Sequence, residues 1–435
     1  MSTPQRRLTI VTLGCSKNVV DSEHLAAHAQ RHGWSVAYGL DQSGGGTLIL
    51  NTCGFIGDAK EESIEAILQA AAARSRGDID RLLVMGCLSQ RYPEELAQEI
   101  PEVDAWYGVH DAAEVLRALG CPVADYDPTR RLPSSPSHYA YLKIAEGCDR
   151  ACAFCAIPSI RGGYRSAPVE ELVQEAQHLQ QGGARELILI AQELTYYGHD
   201  QREPDRLLRL LERLERLDGI DWLRLHYAYP TNFSEGLIRW MATSPRACRY
   251  LDLPLQHISD RVLRSMRRAH GERMTRELVE RLRVGIPGLA LRTTLIVGYP
   301  TETEEDFRQL LDFVRQARFE HLGVFTYSEE EGTPAAGLYA DGIPEEVKRQ
   351  RRDEVMALQQ RISLENKAGR VGQTLPVMVD YRLDERTLVG RTEFDSPEVD
   401  GEVIVRDAAG RLEVGDLVPV RITASSEYDL EGEPA

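Results

Sequence analysis

The chain has 435 residues, of which 42% are apolar, enough to form the cores of two or three domains. Its formal net charge of -17 excludes a protein whose main role is non-specific binding to the phosphate backbone of nucleic acid. No apolar run reaches the roughly eighteen residues of a membrane span, and the start lacks the pattern of a secretory signal, so we expect a cytoplasmic protein without transmembrane helices.

The amino-terminal segment contains three strand-like runs that each end in a cysteine. These runs are "RLTIVTLGC", "TLILNTC" and "RLLVMGC", and helical patterns such as "GDAKEESIEAILQAAAARS" follow the first two. Strands that alternate with helices predict a parallel sheet, in which all carboxyl ends of the strands lie at one edge. We therefore expect Cys15, Cys53 and Cys87 to converge at that edge.

Two interpretations of these three cysteines are open. They are separate buried thiols, since cysteine is among the most buried residue types, or they are ligands of one metal site. Each follows Gly or Thr at the end of a strand and opens a loop, whereas a core cysteine would more often lie within the strand. This position favours the ligand role. Cys121 and Cys248 have no such context and are interpreted as structural.

A Pro- and Ser-rich stretch, "CPVADYDPTRRLPSSPSH", predicts a linker. Six further strand–helix units follow, which suit a partial or full parallel barrel. The predicted strands are "YAYLKIAEG", "ELILIAQ", "WLRLHYAYP", "YLDLPLQ", "LRTTLIVGYP" and "HLGVFTY". A long helical pattern over Pro344–Gly369 leads to the last part of the chain.

From about Arg370 the chain changes to short alternating runs separated by turns, such as "TLPVMVDY", "TLVGRTEF", "GEVIVRD" and "DLVPVRITAS". This pattern predicts a small all-β barrel of about five strands. The segment has seven arginines, no lysine and fifteen acidic residues, a net charge of -8. Small β-barrels often bind nucleic acid, but this charge opposes that role.

The stretch "EGCDRACAFCAIP" carries Cys148, Cys152 and Cys155 within eight residues. Buried thiols at this density among polar residues are improbable. A structural zinc ion prefers four protein ligands and C-x₂-C pairs, and His138 is the nearest candidate for a fourth ligand. An iron–sulfur cluster held by three thiolates would instead leave one iron open to bind a further molecule.

The C-x₃-C-x₂-C spacing at the end of the first barrel strand resembles the radical S-adenosylmethionine superfamily. The resemblance implies a 4Fe-4S cluster on Cys148, Cys152 and Cys155 whose open iron binds S-adenosylmethionine. An electron from the cluster then breaks the sulfonium C–S bond, and the 5′-deoxyadenosyl radical removes hydrogen from an unactivated carbon. By the same resemblance, Phe154, Gln192 and Gly298 are candidate contacts of S-adenosylmethionine, although each is also compatible with a core or turn role.

The complete layout resembles the methylthiotransferase family, which implies a second 4Fe-4S cluster on Cys15, Cys53 and Cys87. The resemblance implies an α/β protein with an amino-terminal parallel α/β cluster domain and a central (β/α)₆ partial TIM barrel. An all-β TRAM barrel follows at the carboxyl end. The expected bounds are 1–125, a linker at 126–137, the barrel at 138–368 and the TRAM domain at 369–435.

The motifs "LGCSKNVVDSEHL", "LNTCGFIGDAKEESIE" and "GRTEFDSPEVDG" resemble the branch that modifies the β-carbon of an aspartate in a small-subunit ribosomal protein. That resemblance implies conversion of C–H to C–SCH₃, with one S-adenosylmethionine as methyl source and another as radical source. It also implies a ribosomal partner and a low-potential electron donor such as flavodoxin. The acidic TRAM segment favours a basic protein target and at most weak nucleic-acid binding.

Three alternatives remain at this point. A related enzyme would place the methylthio group on adenosine in tRNA, and analysis of tRNA nucleosides would reveal it. A non-catalytic RNA-binding protein would use the TRAM barrel, against the negative charge. An electron-transfer protein would hold closed clusters with four protein ligands each.

Overall fold

The computed structural model describes residues 6–39, 45–134, 136–407 and 409–435. The predicted linker and TRAM domain therefore each contain one residue, Ser135 and Ala408, that lies outside the described residues. No helix in these ranges is long and apolar enough to cross a membrane. Three sheets follow one another along the chain, as the sequence predicts.

The first sheet is parallel and has the strand order β2-β1-β3-β4-β5. Its strands are β1 (Arg6–Thr12), β2 (Trp34–Tyr38), β3 (Thr47–Thr52), β4 (Arg81–Gly86) and β5 (Ala105–Trp106). Its helices are α1 (Ser16–Arg31), α2 (Gly57–Arg76), α3 (Cys87–Arg91), α4 (Pro93–Glu99) and α5 (Ala112–Ala118). The three cysteine-terminated runs are the strands β1, β3 and β4, which are adjacent in the sheet, whereas β2 and β5 were not predicted.

Helices cover both faces of this sheet, so its central strand is apolar on both sides. Ile49 of β3 packs in one core with Leu25 of α1. Leu48 and Leu50 pack in the other core with Ile67 of α2. This two-sided burial explains why "TLILNT" lacks the alternation of a half-exposed strand.

The second sheet contains the six predicted parallel strands in chain order, from β6 at one edge to β13 at the other. These are β6 (Tyr139–Lys143), β9 (Glu186–Ile190), β10 (Trp222–Leu225), β11 (Ala247–Asp252), β12 (Ala290–Val297) and β13 (His321–Thr326). The edges do not pair with each other, so the structure confirms a six-stranded partial barrel. A short antiparallel pair, β7 (Ala145–Glu146) with β8 (Arg165–Ser166), lies beside it.

Nine α-helices belong to this part of the described chain, and the longer ones pack their apolar faces on the outside of the partial barrel. They are α6 (Ile157–Arg161), α7 (Val169–Gln181), α8 (Arg206–Leu214), α9 (Glu235–Thr243), α10 (Asp260–Ser265), α11 (Glu272–Gly285), α12 (Glu304–Ala317), α13 (Pro334–Leu338) and α14 (Glu345–Ala368). In α8, for example, Leu207, Leu210, Leu211 and Leu214 recur at helical spacing and are all buried in the barrel core.

The third sheet is a closed five-stranded barrel of order β14-β15-β16-β18-β17, as predicted. Its strands are β14 (Thr374–Arg382), β15 (Thr387–Thr392), β16 (Val403–Arg406), β17 (Leu417–Ser425) and β18 (Leu430–Pro434). Val377 and Val420 inside this barrel share one buried cluster with Trp222 and Tyr250 of the second sheet. The small barrel therefore packs on the partial barrel through a common apolar core.

Buried ion pairs join the same two regions at the amino ends of the central strands. Glu186 at the start of β9 accepts a hydrogen bond of 2.7 Å from Arg224 of β10 and pairs with Arg391 of β15. All three side chains are almost completely buried. The small barrel therefore closes the amino end of the partial barrel, which leaves the carboxyl end to face the first sheet.

Candidate active site

The strand register brings Cys15, Cys53 and Cys87 to one edge of the first sheet. β1 pairs with β3 up to Thr12 and Asn51, and β3 pairs with β4 up to Thr52 and Gly86. Cys15 precedes α1, Cys53 directly follows β3, and Cys87 begins α3. This is the placement that the sequence predicts, because the carboxyl ends of neighbouring parallel strands lie together.

Two glycines allow these loops to approach closely. Gly14 has φ +91°, and a Cβ there would lie 2.9 Å from the Cys53 sulfur. Gly86 has φ +109°, and a Cβ there would lie 2.5 Å from the Thr52 carbonyl oxygen. Any other residue would strain the backbone and separate the loops. The glycine before Cys15 and the glycine before Cys87 are therefore part of the geometry of the site.

A buried asparagine ties the cysteine-bearing loops together. The Asn18 amide donates to the carbonyl oxygens of Leu13, at 2.9 Å, and of Thr52, at 3.1 Å. Its Oδ1 lies 4.0 Å from the Cys87 sulfur. Ser63 of α2 fixes the next loop, because its hydroxyl accepts from the Cys53 N–H and donates to the Cys53 carbonyl.

Burial disfavours the thiolate form at this edge. It raises the pKa of the Cys53 thiol, with a further contribution from Cys15. It raises the pKa of Cys87 to about 11, although the positive charge of Arg161 acts in the opposite direction. These thiols therefore need a bound cationic group before they become thiolates at neutral pH.

The second set of cysteines lies on the loop after β7, at the carboxyl end of the partial barrel. The Cys148 N–H donates to the Gly162 carbonyl at 3.1 Å, and the Ala153 N–H donates to the Met266 carbonyl at 2.9 Å. Gly147, with φ +77°, permits this fold, because a Cβ there would lie 2.2 Å from the Gly163 carbonyl oxygen. The "RGG" segment at the end of α6 therefore contacts the start of the cysteine loop and fixes its position.

In this loop Cys152 is buried and Cys148 and Cys155 are half-buried, and the three thiols are close enough to interact. Burial, with smaller contributions from Glu193 and Cys152, raises the pKa of Cys148 to about 11. Burial raises the pKa of Cys155 to about 12, with contributions from Cys152 and Cys148. The Arg268 guanidinium lies 3.6 Å from the Cys152 sulfur.

An arginine–tyrosine group that the sequence did not reveal surrounds this loop. Arg150 donates two hydrogen bonds to Glu193, at 2.7 and 2.6 Å. The Tyr229 ring lies between two guanidinium groups, 4.3 Å from that of Arg150 and 4.1 Å from that of Arg268. These contacting side chains are far apart in sequence, so they meet only in the folded chain.

Arg161 connects the two cysteine-bearing edges. It is 2% exposed and lies in α6, just after the second cysteine loop. Its guanidinium lies 3.0 Å from Glu146 and 3.1 Å from Asp21 of α1, and it also donates to Asn18. The two sites therefore face each other across a buried ionic contact between the first sheet and the partial barrel.

The donor set fits iron–sulfur clusters better than single metal ions. All eight cysteines are free thiols. Within the described ranges, no group of three or more His, Cys, Asp or Glu side chains is arranged to hold one metal ion. A cluster distributes its thiolate ligands over several irons and so needs wider spacing. His138, the candidate fourth ligand for zinc, instead contacts Asp380 of the small barrel at 2.7 Å.

The structure places the three predicted S-adenosylmethionine contacts around the same loop. The Gln192 amide donates to Glu146 at 3.0 Å, and its Oε1 is buried without a hydrogen-bond partner. Phe154 packs with Ala153 and Tyr299. Gly298 has a structural reason for its identity, because a Cβ there would lie 2.3 Å from the Lys348 side chain. Their roles in binding stay predictions.

Family comparisons agree with this architecture. The Radical SAM superfamily matches residues 142–314, Uncharacterized protein family UPF0004 matches residues 7–108, and the TRAM domain matches residues 371–434. Among solved structures, radical S-adenosylmethionine methyltransferase TsrM from Kitasatospora setae is 15% identical. That match covers 76% of this chain and 74% of TsrM with a TM-score of 0.55. The fold and the cysteine loop thus define a radical S-adenosylmethionine type of protein.

Comparison with curated relatives identifies the family of this chain. The ribosomal protein uS12 methylthiotransferase RimO of Bacteroides fragilis is 49% identical over 429 residues, which cover 99% of each chain. The protein of the same name from Flavobacterium johnsoniae is 47% identical over 438 residues, covering 100% of this chain and 99% of that one. The chain therefore belongs to the family of ribosomal protein uS12 methylthiotransferases.

Proposed function

We propose that this protein converts the β-carbon C–H of an aspartate in ribosomal protein uS12 to C–SCH₃. The observation that carries this proposal is the pair of three-thiol sites that face each other across Arg161. Relatives of nearly equal length that are named for uS12 support a protein target rather than adenosine in tRNA. The target and the ribosomal partner suit a cytoplasmic location.

Each three-thiol site would hold one 4Fe-4S cluster. Cys15, Cys53 and Cys87 would bind one, and the other would take Cys148, Cys152 and Cys155. With these clusters bound, one S-adenosylmethionine would supply the methyl group, and the cluster on Cys15, Cys53 and Cys87 would hold the sulfur atom that carries it. A second S-adenosylmethionine would supply the radical that removes hydrogen from the β-carbon. An external low-potential donor such as flavodoxin would supply the electron.

The side chains around the sites would bind and orient these groups. Phe154, Gln192 and Gly298 would contact S-adenosylmethionine, and the unpaired Gln192 Oε1 offers one buried acceptor for it. Cys53, Cys87 and Cys152 are buried, which would limit the access of water to the reacting atoms. Arg161 would hold the two sites in a fixed relation, because it contacts Asp21 and Asn18 of one side and Glu146 of the other.

Three domains would divide this work, with bounds at 1–125, 138–368 and 369–435 and a linker at 126–137. The three family matches fall inside these bounds. The described residues of the linker form no helix or strand. The acidic TRAM domain would contact the basic surroundings of uS12, with at most weak binding to nucleic acid.

A product mass tests the function. The anaerobically loaded enzyme, S-adenosylmethionine, a reductant and uS12 should give uS12 with the mass increase that replacing hydrogen by a methylthio group produces. Digestion should place that increase on one aspartate. A methylthio group on tRNA nucleosides, with uS12 unchanged, would instead establish the tRNA reaction.

A further inference from the structure

Lys17 is a buried lysine at the start of α1, two residues after Cys15. Only 6% of the residue is exposed. Its ammonium lies 3.0 Å from the centroid of the Tyr227 ring, which follows β10 of the partial barrel. The charge therefore sits where the first sheet meets the carboxyl end of the barrel.

Lys17 differs from the other lysines in its lack of a counter-charge. The chain has five lysines, and Lys60, Lys143, Lys348 and Lys367 each contact at least one carboxylate within 2.8 Å. Over the residues that the structure describes, the Lys17 ammonium has no hydrogen bond or ion pair, and it contacts the Tyr227 ring. A buried ammonium without an anion is costly, so an anionic ligand would relieve that cost.

Positive side chains, Lys17 among them, act on the neighbouring His226. His226, at the end of β10, is buried, and burial lowers its pKa well below the ordinary value. Arg224, Arg292 and Lys17 lower it further. Arg224 and Arg292 are already paired with Glu186 and Asp252, whereas the Lys17 ammonium has no carboxylate partner among the described residues.

Backbone hydrogen bonds fix the position of Tyr227, whose ring contacts the Lys17 ammonium. Its backbone has φ 60°, which is unusual for tyrosine. The Tyr227 N–H donates to Asp252 at 3.1 Å, and its carbonyl accepts from the Leu194 N–H at 2.9 Å. Leu194 follows Glu193, the partner of Arg150 beside the second cysteine loop. A series of direct contacts therefore connects Lys17 to both cysteine-bearing edges.

We propose that the Lys17 ammonium binds the side-chain carboxylate of the substrate aspartate, and so acts as a specificity-determining residue. The inference rests on the proposed function. In aspartate the carboxylate is bonded directly to the β-carbon. A cation that binds this carboxylate between the two sites therefore also fixes the carbon that is to react. A charge-assisted hydrogen bond would favour aspartate over asparagine.

The test compares uS12 with its asparagine form, in which the target aspartate is replaced by the neutral amide of similar shape. For Lys17→Met, we expect kcat/KM on the aspartate form to fall about ten- to hundredfold, the range of one buried charge-assisted hydrogen bond. The rate on the asparagine form should change little. Lys17→Arg should restore part of the preference, because it keeps the charge.

Two further measurements separate binding from chemistry. Equilibrium binding of uS12 to the cluster-loaded enzyme without S-adenosylmethionine should weaken in Lys17→Met for the aspartate form only. Cleavage of S-adenosylmethionine without uS12 should stay at the wild-type rate. Lys60→Met serves as the matched control: it removes an ammonium already paired with Glu330 and should leave the aspartate-to-asparagine ratio unchanged.

If Lys17→Met prefers the aspartate form over the asparagine form as strongly as the wild type does, the inference is wrong. An effect confined to the KM of S-adenosylmethionine would also overturn it. If Lys17→Met binds less iron than the wild type, Lys17→Gln and Lys17→Arg are compared instead. Only Lys17→Arg keeps the charge, so it alone should retain part of the preference for the aspartate form. A wild-type enzyme that leaves uS12 unmodified would refute the proposed function, a result distinct from failure of the Lys17 inference.

Discussion

The two ends of the partial barrel are built in opposite ways. At the amino end, charged side chains such as Glu186, Arg224 and Arg391 are buried but paired with each other, and an apolar core joins the small barrel to the central sheet. At the carboxyl end and the facing edge of the first sheet, six free thiols lie together with the Lys17 ammonium, which has no carboxylate partner among the described residues, and the buried Gln192 Oε1, which has no hydrogen-bond partner. The comparison indicates that one end provides stability and the other keeps its binding capacity for ligands.

The largest expected effects come from the cysteines at the carboxyl end of the partial barrel and at the facing edge of the first sheet. Cys152→Ala should abolish cleavage of S-adenosylmethionine, because the cluster that cleaves it would lose a thiolate. Cys53→Ala should preserve that cleavage but stop methylthiolation. Anaerobic assays of 5′-deoxyadenosine and of modified uS12 measure the two activities separately.

Cys121→Ala is the matched control for the cysteine variants. Cys121 is buried in the core of the first sheet beside Leu119 and should not bind iron. This variant should retain both activities. Full product from Cys53→Ala would show that the amino-terminal cysteines are not needed for sulfur transfer.

A substitution at the amino end of the partial barrel should lower the free energy of unfolding and leave the reaction unchanged. Glu186→Gln leaves the guanidinium groups of Arg224 and Arg391 buried without their shared carboxylate. We expect the free energy of unfolding to fall by about 3–5 kcal/mol, as for other broken buried ion pairs. Urea denaturation measures the change, and activity per folded molecule should stay close to that of the wild type.

The surface pair of Arg406 and Glu431 provides the control for that loss. Both side chains are well exposed, so Glu431→Gln should cost less than about 1 kcal/mol. Equal losses from Glu186→Gln and Glu431→Gln would contradict the stabilising role assigned to the amino end.

These predictions also show how much of the molecule follows from the sequence. Strand patterns predict the three sheets and the convergence of Cys15, Cys53 and Cys87, because a parallel sheet collects its carboxyl ends at one edge. The strands β2 and β5 were missed. β5 has only two residues, and β2, "WSVAY", is an edge strand of mostly half-buried residues that lacks a strong apolar pattern.

Contacts between the domains could not be predicted in the same way. Arg161 meets Asp21 and Asn18, and Glu330 meets Lys60 and Arg91, only because the first sheet docks on the barrel. Periodicity describes which face of a helix is buried, but not the partner across an interface. For Lys17, the one signal available in the sequence is its position two residues after a candidate ligand.

The stability at the amino end should also depend on pH. Burial alone would raise the pKa of Asp395, but the positive charges of Lys367 and His321 lower it to about 2 from 3.8. The folded pKa is below the unfolded one, so the stabilisation is present above about pH 4 and is lost as the pH falls towards 2. It is on the order of 2 kcal/mol.

Denaturation of wild type and Asp395→Asn over this pH range tests the assignment. The difference in unfolding free energy should be constant near neutral pH and should shrink below about pH 4. A difference that stays constant down to pH 2 would show that ionisation of Asp395 does not contribute to stability.

The smallest expected effect lies at the first turn of α12, on the outside of the partial barrel. Thr303 caps α12 in a capping box with Asp306, whose carboxylate accepts a hydrogen bond from the Thr303 N–H at 2.8 Å. Thr303→Ala should reduce the unfolding free energy by about 1 kcal/mol. Thr303→Ser keeps the hydroxyl and should cost less; a larger loss from Ser than from Ala would contradict the cap.

Iron and sulfide content of anaerobically loaded protein tests the central claim most directly. The wild type should hold two four-iron clusters. One cluster should remain when Cys15, Cys53 and Cys87 are all replaced by alanine, and one when Cys148, Cys152 and Cys155 are replaced. A wild type with a single cluster, or either triple variant with two, would contradict the arrangement of two facing three-thiolate sites.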